Sequence, residues 1–199
     1  MQVKPVGRDA VLVEVADAGQ ALDLALWLRE HVTADEVVPA AASVLVDGVT
    51  DTDALTARLE DWRPGAVPAK GETVTVEVDY SGPDLPQVAD LWGVPVDEVA
   101  ARHAAGKYVV AFAGFAPGFA YLVRTDAKVT AVPRRATPRT RVEPGSIGLA
   151  GTFTGLYPSA SPGGWQLIGR TDAALWDQDR PSPALLPPGT QVRFMVGSP

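Results

Sequence analysis

Cysteine is absent from this sequence of 199 residues, and histidine occurs only twice. Without cysteine there can be no disulfide, no thiolate zinc site and no cysteine nucleophile, which suits a protein of a reducing compartment. The two histidines, His31 and His103, lie far apart in the sequence. We therefore expect no metal site in this chain.

Long apolar runs and a basic charge are lacking as well. No run approaches the roughly 18–20 apolar residues that span a membrane, and the first residues, Met1 to Pro5, lack the core of a signal peptide. The formal net charge of −7 opposes binding to a nucleic-acid backbone, which relies on many Lys and Arg contacts. We therefore expect a cytoplasmic protein that binds neither membranes nor nucleic acids.

The length suits one large domain or two small ones, and residues 1–66 have the pattern of a small α/β domain. An alternating run at Ala10–Val15 predicts a strand, and Asp17 can cap the helix that follows it and ends near His31. Two short strands and a second helix are predicted at Glu36–Pro39, Ser43–Val46 and Thr52–Trp62. The stretch Arg63–Gly71 is rich in Pro, Gly and Ala, which is typical of a domain boundary.

Residues 67–199 are predicted to form a second domain, mainly of β-structure. It begins with a strand, two short helices and another strand, at Thr73–Tyr80, Asp84–Trp92, Val96–Ala105 and Tyr108–Ala113. Short apolar runs then alternate with glycine and proline turns, at Lys128–Val132, Ser146–Ala150, Trp165–Ile168 and Gln191–Val196. This pattern indicates a β-barrel or closed sheet that carries its function on loops, and hence an α+β fold.

The segment from Phe112 to Arg170 is the strongest candidate for a binding site. Glycine and proline shape its loops, because glycine permits positive φ and proline holds φ near about −65°. Four arginines stand within eight residues, Arg134, Arg135, Arg139 and Arg141. They could bind a carboxylate or phosphate, or could form a solvated loop paired with surface acids. Of the four, we expect Arg139 to point inward.

The run Ser161–Gln166 is a second signal for a binding site. The backbone N–H groups of Gly163 and Gly164 could approach an anion closely, with Trp165 as the floor and Gln166 as a donor and acceptor. The alternative is a tight turn that enters a strand, with Trp165 in the core and Gln166 outside. The Gly-Lys-Ser/Thr ending of a phosphate-binding P-loop is absent.

His103 shares one face of the predicted helix with Val96, Val99 and Ala100. This pattern favours a hydrogen-bonded, half-buried histidine that packs the helix over a catalytic base. No Gly-x-Ser-x-Gly elbow or spaced pair of acids indicates a hydrolase nucleophile. The residues by themselves therefore indicate an α+β protein with a pocket that prefers an anionic ligand.

Ordered blocks of residues along most of the chain resemble a known family. They are Val37–Ala40, Gly82–Leu85, Arg102-His103, Gly106–Tyr108, Phe112, Gly114-Phe115, Pro117–Phe119, Tyr121-Leu122, Pro133-Arg134, Thr137–Arg139, Pro144–Ile147, Gly151, Thr154-Gly155, Tyr157-Pro158 and Ser161–Thr171. This arrangement resembles the family that comprises the B-type subunit of 5-oxoprolinase, KipI and allophanate hydrolase subunit 1. Such a match is more specific than any single motif above.

The resemblance implies a small N-terminal α/β domain followed by a cyclophilin-like β-barrel domain. It also implies a hetero-oligomer with a C-type partner protein (allophanate hydrolase subunit 2). In the 5-oxoprolinase, a third subunit joins them to open 5-oxoproline to glutamate, with ATP used by the assembled complex. A carboxyltransferase half that acts on urea-like substrates is an alternative, and its biotin would come from another protein because this chain has no biotinyl-lysine motif. A KipI-like inhibitor of a sensor histidine kinase is the alternative from a different class.

The resemblance also implies roles for residues between Phe112 and Arg170, around a small amide that bears a carboxylate. Arg139, Gln166 and Tyr157 are expected to act in catalysis, where donors stabilise an anionic amide oxygen. The expected substrate-binding residues are Phe115, Pro117, Gly118, Tyr121, Ser146, Ser161, Gly163, Gly164, Trp165 and Arg170. Phe153 stands where the family usually has glutamine, and losing a hydrogen-bonding amide can change substrate choice.

Overall fold

The computed structural model describes residues 1–65 and 73–197. The chain separates into two compact units, Met1–Ala69 and Lys70–Pro199. The predicted boundary at residues 66 and 67 lies outside the described residues, and the division into two domains stays a prediction. Both units contain helices and strands, so the chain is an α+β protein.

The first unit is a four-stranded antiparallel sheet with two helices. Its elements are β1 (Gln2–Val6), β2 (Ala10–Glu14), α1 (Ala18–His31), β3 (Glu36–Pro39), β4 (Ser43–Asp47) and α2 (Thr52–Leu59). The strands lie in the order β1-β2-β4-β3. Helix α1 begins directly after Asp17, as predicted, because the Asp17 carboxylate accepts a hydrogen bond from the Gln20 N–H at 2.9 Å. Strand β1 was not predicted from the sequence. Four of its five residues are exposed, so it lacks the alternation of buried and exposed side chains that indicates a strand.

The second unit is built on a seven-stranded sheet in the order β12-β9-β10-β7-β6-β13-β5. All neighbouring strands in this sheet are antiparallel except β13 and β5, which run parallel. The elements of the unit are β5 (Thr73–Val78), α3 (Leu85–Trp92), α4 (Val96–Ala104), β6 (Lys107–Ala113), β7 (Ala120–Arg124), β8 (Arg139–Val142), β9 (Ser146–Ala150), β10 (Phe153–Leu156), β11 (Ser161–Gly163), β12 (Gln166–Arg170) and β13 (Gln191–Val196).

A pair of hydrogen bonds joins the two edges of this sheet. Asp79, directly after β5, and Arg170, at the end of β12, each donate a backbone N–H to the other's carbonyl at 2.9 Å. The close approach depends on Gly169, because a Cβ at this position would lie 2.5 Å from the Asp79 carbonyl oxygen. The sheet therefore curls back on itself. That this barrel is cyclophilin-like stays a prediction.

The curled sheet has a hydrophobic cluster on each face. The main core includes Leu122, Ile147, Leu156, Ile168 and Phe194, and helices α3 and α4 add Val88 and Val99 to it. A second cluster lies on the other face, and its buried members are Phe119, Val142, Ala150, Tyr157, Trp165 and Leu167. Successive residues of a strand point to opposite faces, which is why neighbours such as Leu167 and Ile168 belong to different clusters.

Two predicted segments differ in the structure. The run Lys128–Val132 forms no strand, because only Val132 pairs, in an isolated bridge with Gly151. Helix α2 ends at Leu59 and not at Trp62, since Pro64 and Gly65 follow too closely for another turn. Within residues 1–65 and 73–197, no helix combines the length and the apolar character that crossing a membrane requires.

Candidate functional site

A hollow of about 220 Å³ lies at the second hydrophobic cluster of the curled sheet. Its wall consists of aromatic rings, glycine and proline backbone, and one arginine. The lining residues are Phe115, Phe119, Tyr121, Arg134, Pro138, Tyr157, Pro162, Gly163, Gly164 and Trp165. Six of these were predicted as site residues, so the structure brings Phe115, Tyr121, Tyr157, Gly163, Gly164 and Trp165 together.

The aromatic wall is held by edge-to-face contacts around Phe119. Its ring meets Tyr157 at 5.0 Å and 87° and Trp165 at 5.7 Å and 84°, an arrangement that the ring quadrupoles favour. The rings can approach strand β10 closely because it has glycine at this point. A Cβ on Gly155 would lie 2.6 Å from the Trp165 ring and 2.8 Å from the Phe119 ring. The glycine of the Thr154-Gly155 motif therefore shapes the hollow.

Phe115 stands at the rim of the hollow in an unusual backbone conformation. Its φ is +68°, and it is the one non-glycine residue with positive φ among those the structure describes. The side chain is 62% exposed, and its ring meets Phe119 edge-to-face at 5.2 Å. A non-glycine residue in this region costs on the order of 1–3 kcal/mol, and such strain concentrates at functional sites. This strain, together with the exposed ring, makes Phe115 a candidate functional residue.

Arg134 supplies the positive charge of the hollow. Its guanidinium lies 6.0 Å from the centre of the Trp165 ring, within the range of a cation–π contact. The hydroxyl of Tyr157 reaches the same wall, since a Cβ on Gly163 would lie 2.7 Å from it. Burial raises the pKa of Tyr157 to about 12, although the Arg134 charge opposes the rise. The hydroxyl is thus protonated at neutral pH and can donate a hydrogen bond but cannot serve as a base.

Arg139 points inward, as predicted, but toward a carboxylate and not into the hollow. Arg139 Nη2 donates to Asp84 Oδ1 at 2.8 Å, and Arg135 Nη1 donates to the same oxygen at 2.9 Å. Arg141 pairs with Glu143 on the surface. Three of the four clustered arginines therefore have acidic partners, and Arg134 alone of the four lines the hollow.

Neither alternative considered for Trp165 and Gln166, a ligand site or a turn with Trp165 in the core and Gln166 outside, holds in full. Trp165 is only 5% exposed, and it belongs to the second hydrophobic cluster while it also lines the hollow. Gln166 is 3% exposed, and its Nε2 donates to the Pro133 carbonyl at 3.2 Å. Gln166 Oε1 and Ser161 Oγ are buried without a partner among the described residues. Gln166 and Ser161 do not belong to the lining of the hollow.

The remaining predicted residues lie outside the lining of the hollow. Ser146 Oγ donates to the Glu143 carbonyl at 2.7 Å, and Arg170 pairs with Asp172 at 2.9 Å. Pro117 and Gly118 belong to the loop between β6 and β7 that carries Phe115. Four lining residues, Phe119, Arg134, Pro138 and Pro162, were not among the predicted site residues, although Arg134 belongs to the arginine cluster considered as an anion site. All four lie inside the family blocks, so the motif contained them without indicating which side chains line the hollow.

His103 is fully buried and takes part in a hydrogen-bond network away from the hollow. Its Nδ1 lies 2.7 Å from the Tyr80 hydroxyl and its Nε2 lies 3.1 Å from Thr154 Oγ1, while the Tyr108 hydroxyl donates to its carbonyl. Burial lowers the pKa of His103 to about 3 and raises those of Tyr80 and Tyr108. The network is therefore neutral at pH 7, which confirms the prediction of a packing histidine, although one buried more deeply than expected.

Phe153 packs against the aromatic wall. Its ring meets Phe112 at 5.6 Å and Tyr121 at 6.0 Å, both edge-to-face. An aromatic side chain at this position extends the apolar surface of β6, β7 and β10. Among the residues that the structure describes, no group of three or more His, Cys, Asp and Glu side chains could hold a metal ion.

Known proteins with similar sequences identify the family of this chain. Residues 1–186 match the family described as "Carboxyltransferase domain, subdomain C and D", and the chain belongs to this family. Within it, three relatives are B-type subunits of 5-oxoprolinase, which confirms the predicted resemblance to that family. The sequence is 34% identical to the B-type 5-oxoprolinase subunit of Haemophilus influenzae in an alignment of 209 positions, which covers 98% of each chain.

Two further matches show how much of each relative this chain spans. It is 43% identical over 143 residues to the B-type 5-oxoprolinase subunit of Escherichia coli O157:H7, covering 69% of this chain and 65% of the relative. The crystal structure of TTHA0988 superimposes with a TM-score of 0.76 at 30% identity, over 100% of this chain but only 41% of that one. The chain therefore corresponds to less than half of TTHA0988.

Proposed function

We propose that the chain is a subunit of a heteromeric, ATP-dependent amide-hydrolysing enzyme that acts on 5-oxoproline or a related small amide. It would act with a C-type partner protein (allophanate hydrolase subunit 2) and a third 5-oxoprolinase subunit. The names of its relatives support this proposal. The observation that carries it is the hollow, which combines aromatic walls with one guanidinium that no acid among the described residues neutralises. This combination suits a small planar amide that bears a carboxylate.

Each part of the hollow has a role in binding such a ligand. The exposed Phe115 ring and the aromatic wall behind it offer apolar contact to a planar ligand. The Arg134 guanidinium would pair with the carboxylate through charge-assisted hydrogen bonds. The protonated Tyr157 hydroxyl would donate to the amide oxygen as this oxygen becomes anionic, which stabilises the charge that develops during attack or phosphorylation. Arg139 and Gln166 would act from behind, by holding the walls in place.

ATP is expected to bind elsewhere in the assembled complex. The hollow, about 220 Å³, is below the roughly 300–1,000 Å³ of pockets that enclose drug-sized ligands. A triphosphate also requires several cationic or metal contacts, whereas Arg134 is the one cation in the described lining. The substrate and not the nucleotide is therefore assigned to this site.

Reconstitution tests the proposal. The chain would be combined with the C-type partner and the third subunit, and ATP-dependent release of glutamate from 5-oxoproline would be measured. Arg134→Gln removes a charge-assisted contact and should lower kcat/KM by roughly 10- to 100-fold. Arg141→Gln, which removes an exposed arginine paired with Glu143, should keep the parent activity. Absence of glutamate release, or full activity of Arg134→Gln, would reject the proposal.

A further inference from the structure

A second cavity, about 130 Å³ in volume, lies at the other end of the strands that form the hollow. Strand β7 contributes Tyr121 to the hollow and Arg124 to this cavity, and β10 runs from Phe153 at the cavity toward Tyr157 at the hollow. The two cavities share no lining residue among those described. Any ligand of this cavity is therefore separate from the ligand of the hollow.

The charge of the cavity is opposite to that of the protein. The chain has a formal net charge of −7, yet the described lining contains three cations, Arg102, Arg124 and Lys128, and no carboxylate. Arg102 pairs with Glu98 at 2.7 Å and Arg124 with Asp126 at 2.7 Å, both outside the lining. The Lys128 ammonium has no partner within residues 1–65 and 73–197. One positive charge at the mouth is thus left without compensation.

Below the cations, the lining is neutral. The floor contains His103 and Thr154, whose Nε2 and Oγ1 atoms lie 3.1 Å apart and satisfy each other. The remaining lining is uncharged, and its apolar members include Val129, Leu149 and Phe153. A ligand that fits this lining has its negative charge at the mouth and an uncharged body inside, because a second buried charge would lack a partner.

We propose that this cavity binds a small organic monocarboxylate. The carboxylate contacts Lys128 and the spare guanidinium donors of Arg102 and Arg124, and a short apolar body packs on Val129 and Phe153. Inorganic phosphate fits less well, because its further charged oxygens would contact Val129, Leu149 or Phe153 and not a cation. The site is independent of the proposed function, since no residue of the hollow takes part in it.

An NMR titration of the full chain tests this site without any enzymatic readout. Butyrate is the probe, and the expected result is a saturable shift of the backbone amides of Val129, Thr130 and Thr152 in ¹H–¹⁵N spectra. Lys128→Glu, at an exposed position, should weaken the affinity by roughly tenfold or more. Arg193→Glu makes the same charge change at an exposed position outside the lining and should leave the affinity unchanged.

Three results would overturn the assignment. The first is the absence of saturable shifts at Val129, Thr130 and Thr152, including the case in which butyrate shifts only Trp165 and Gly163 in the hollow. The second is equal affinity of the parent chain and Lys128→Glu. The third is binding of inorganic phosphate as tight as that of butyrate, since this would show a general anion site and not a carboxylate site.

Discussion

Asp84 and Arg139, 55 residues apart in the sequence, form an ion pair in which the carboxylate is buried. The same carboxylate accepts hydrogen bonds from Arg135 at 2.9 Å and from the backbone N–H of Leu167 at 2.6 Å. One acidic side chain therefore ties the basic segment to the start of α3 and to β12. Arg135 and Arg139 therefore stabilise the fold through Asp84, whereas Arg134 lines the hollow.

Asp84→Asn should destabilise the second unit. The substitution leaves two guanidinium groups without a counter-charge, and breaking a buried pair in this way costs about 3 kcal/mol when the arginines are partly exposed. Urea unfolding followed by tryptophan fluorescence measures the loss. Glu143→Gln removes the exposed partner of Arg141 and should have no measurable effect. An Asp84→Asn variant as stable as the parent would show that the pair does not hold the basic segment.

Gly155→Ala should disturb the hollow directly. The added Cβ would lie 2.6 Å from the Trp165 ring and 2.8 Å from the Phe119 ring, so the rings must move. We expect a loss of roughly 1–3 kcal/mol in the free energy of unfolding and a changed near-UV circular dichroism spectrum. Gly114→Ala is the matched control, because its Cβ would meet only the Tyr121 ring at 3.9 Å. Equal spectra for both variants would contradict the packing described for the wall.

Two substitutions of Phe115 separate the effect of its backbone strain from the effect of its ring. Phe115→Gly removes the steric cost of positive φ, whereas Phe115→Ala removes the same ring and keeps that cost. The glycine variant should therefore be more stable than the alanine variant by about 1 kcal/mol in thermal or urea unfolding. Both variants should lose activity in the reconstituted complex, because both lack the ring at the rim. A glycine variant less stable than the alanine variant would refute the strain argument.

The lowered pKa of His103 makes the free energy of unfolding depend on pH. Its pKa in the folded state, about 3, lies below the ordinary value near 6.5, so the unfolded chain binds its proton more readily. The stability that the neutral histidine contributes is complete above pH 6.5 and is lost as the pH falls toward 3. His103→Gln should flatten this part of the profile in urea unfolding, whereas His31→Gln, at an exposed position, should keep the parent slope. Parallel profiles for the parent and His103→Gln would contradict this account.

Prediction from the sequence succeeded where the cause is local. Asp17 caps α1 through a hydrogen bond three residues along the chain, and the alternation of Val11 and Val13 reports a strand that buries one face. It failed at β1, whose residues are mostly exposed, at the short strand β7, and at β10, where Gly155 interrupts the apolar pattern. Lys128–Val132 shows the opposite error, because a short apolar run can line a cavity without pairing as a strand.

By itself the sequence determined the family, the elements with a strong local pattern, and the glycine, proline and aromatic motif from which the hollow is made. These features depend on residues close together in the chain. Only the tertiary structure decided that Arg134 faces the hollow while Arg139 binds Asp84, and that Gln166 is buried outside the lining. The physical reason is that a guanidinium turns toward the carboxylate that folding brings within hydrogen-bonding distance. No pattern of neighbouring residues specifies which distant acid that will be.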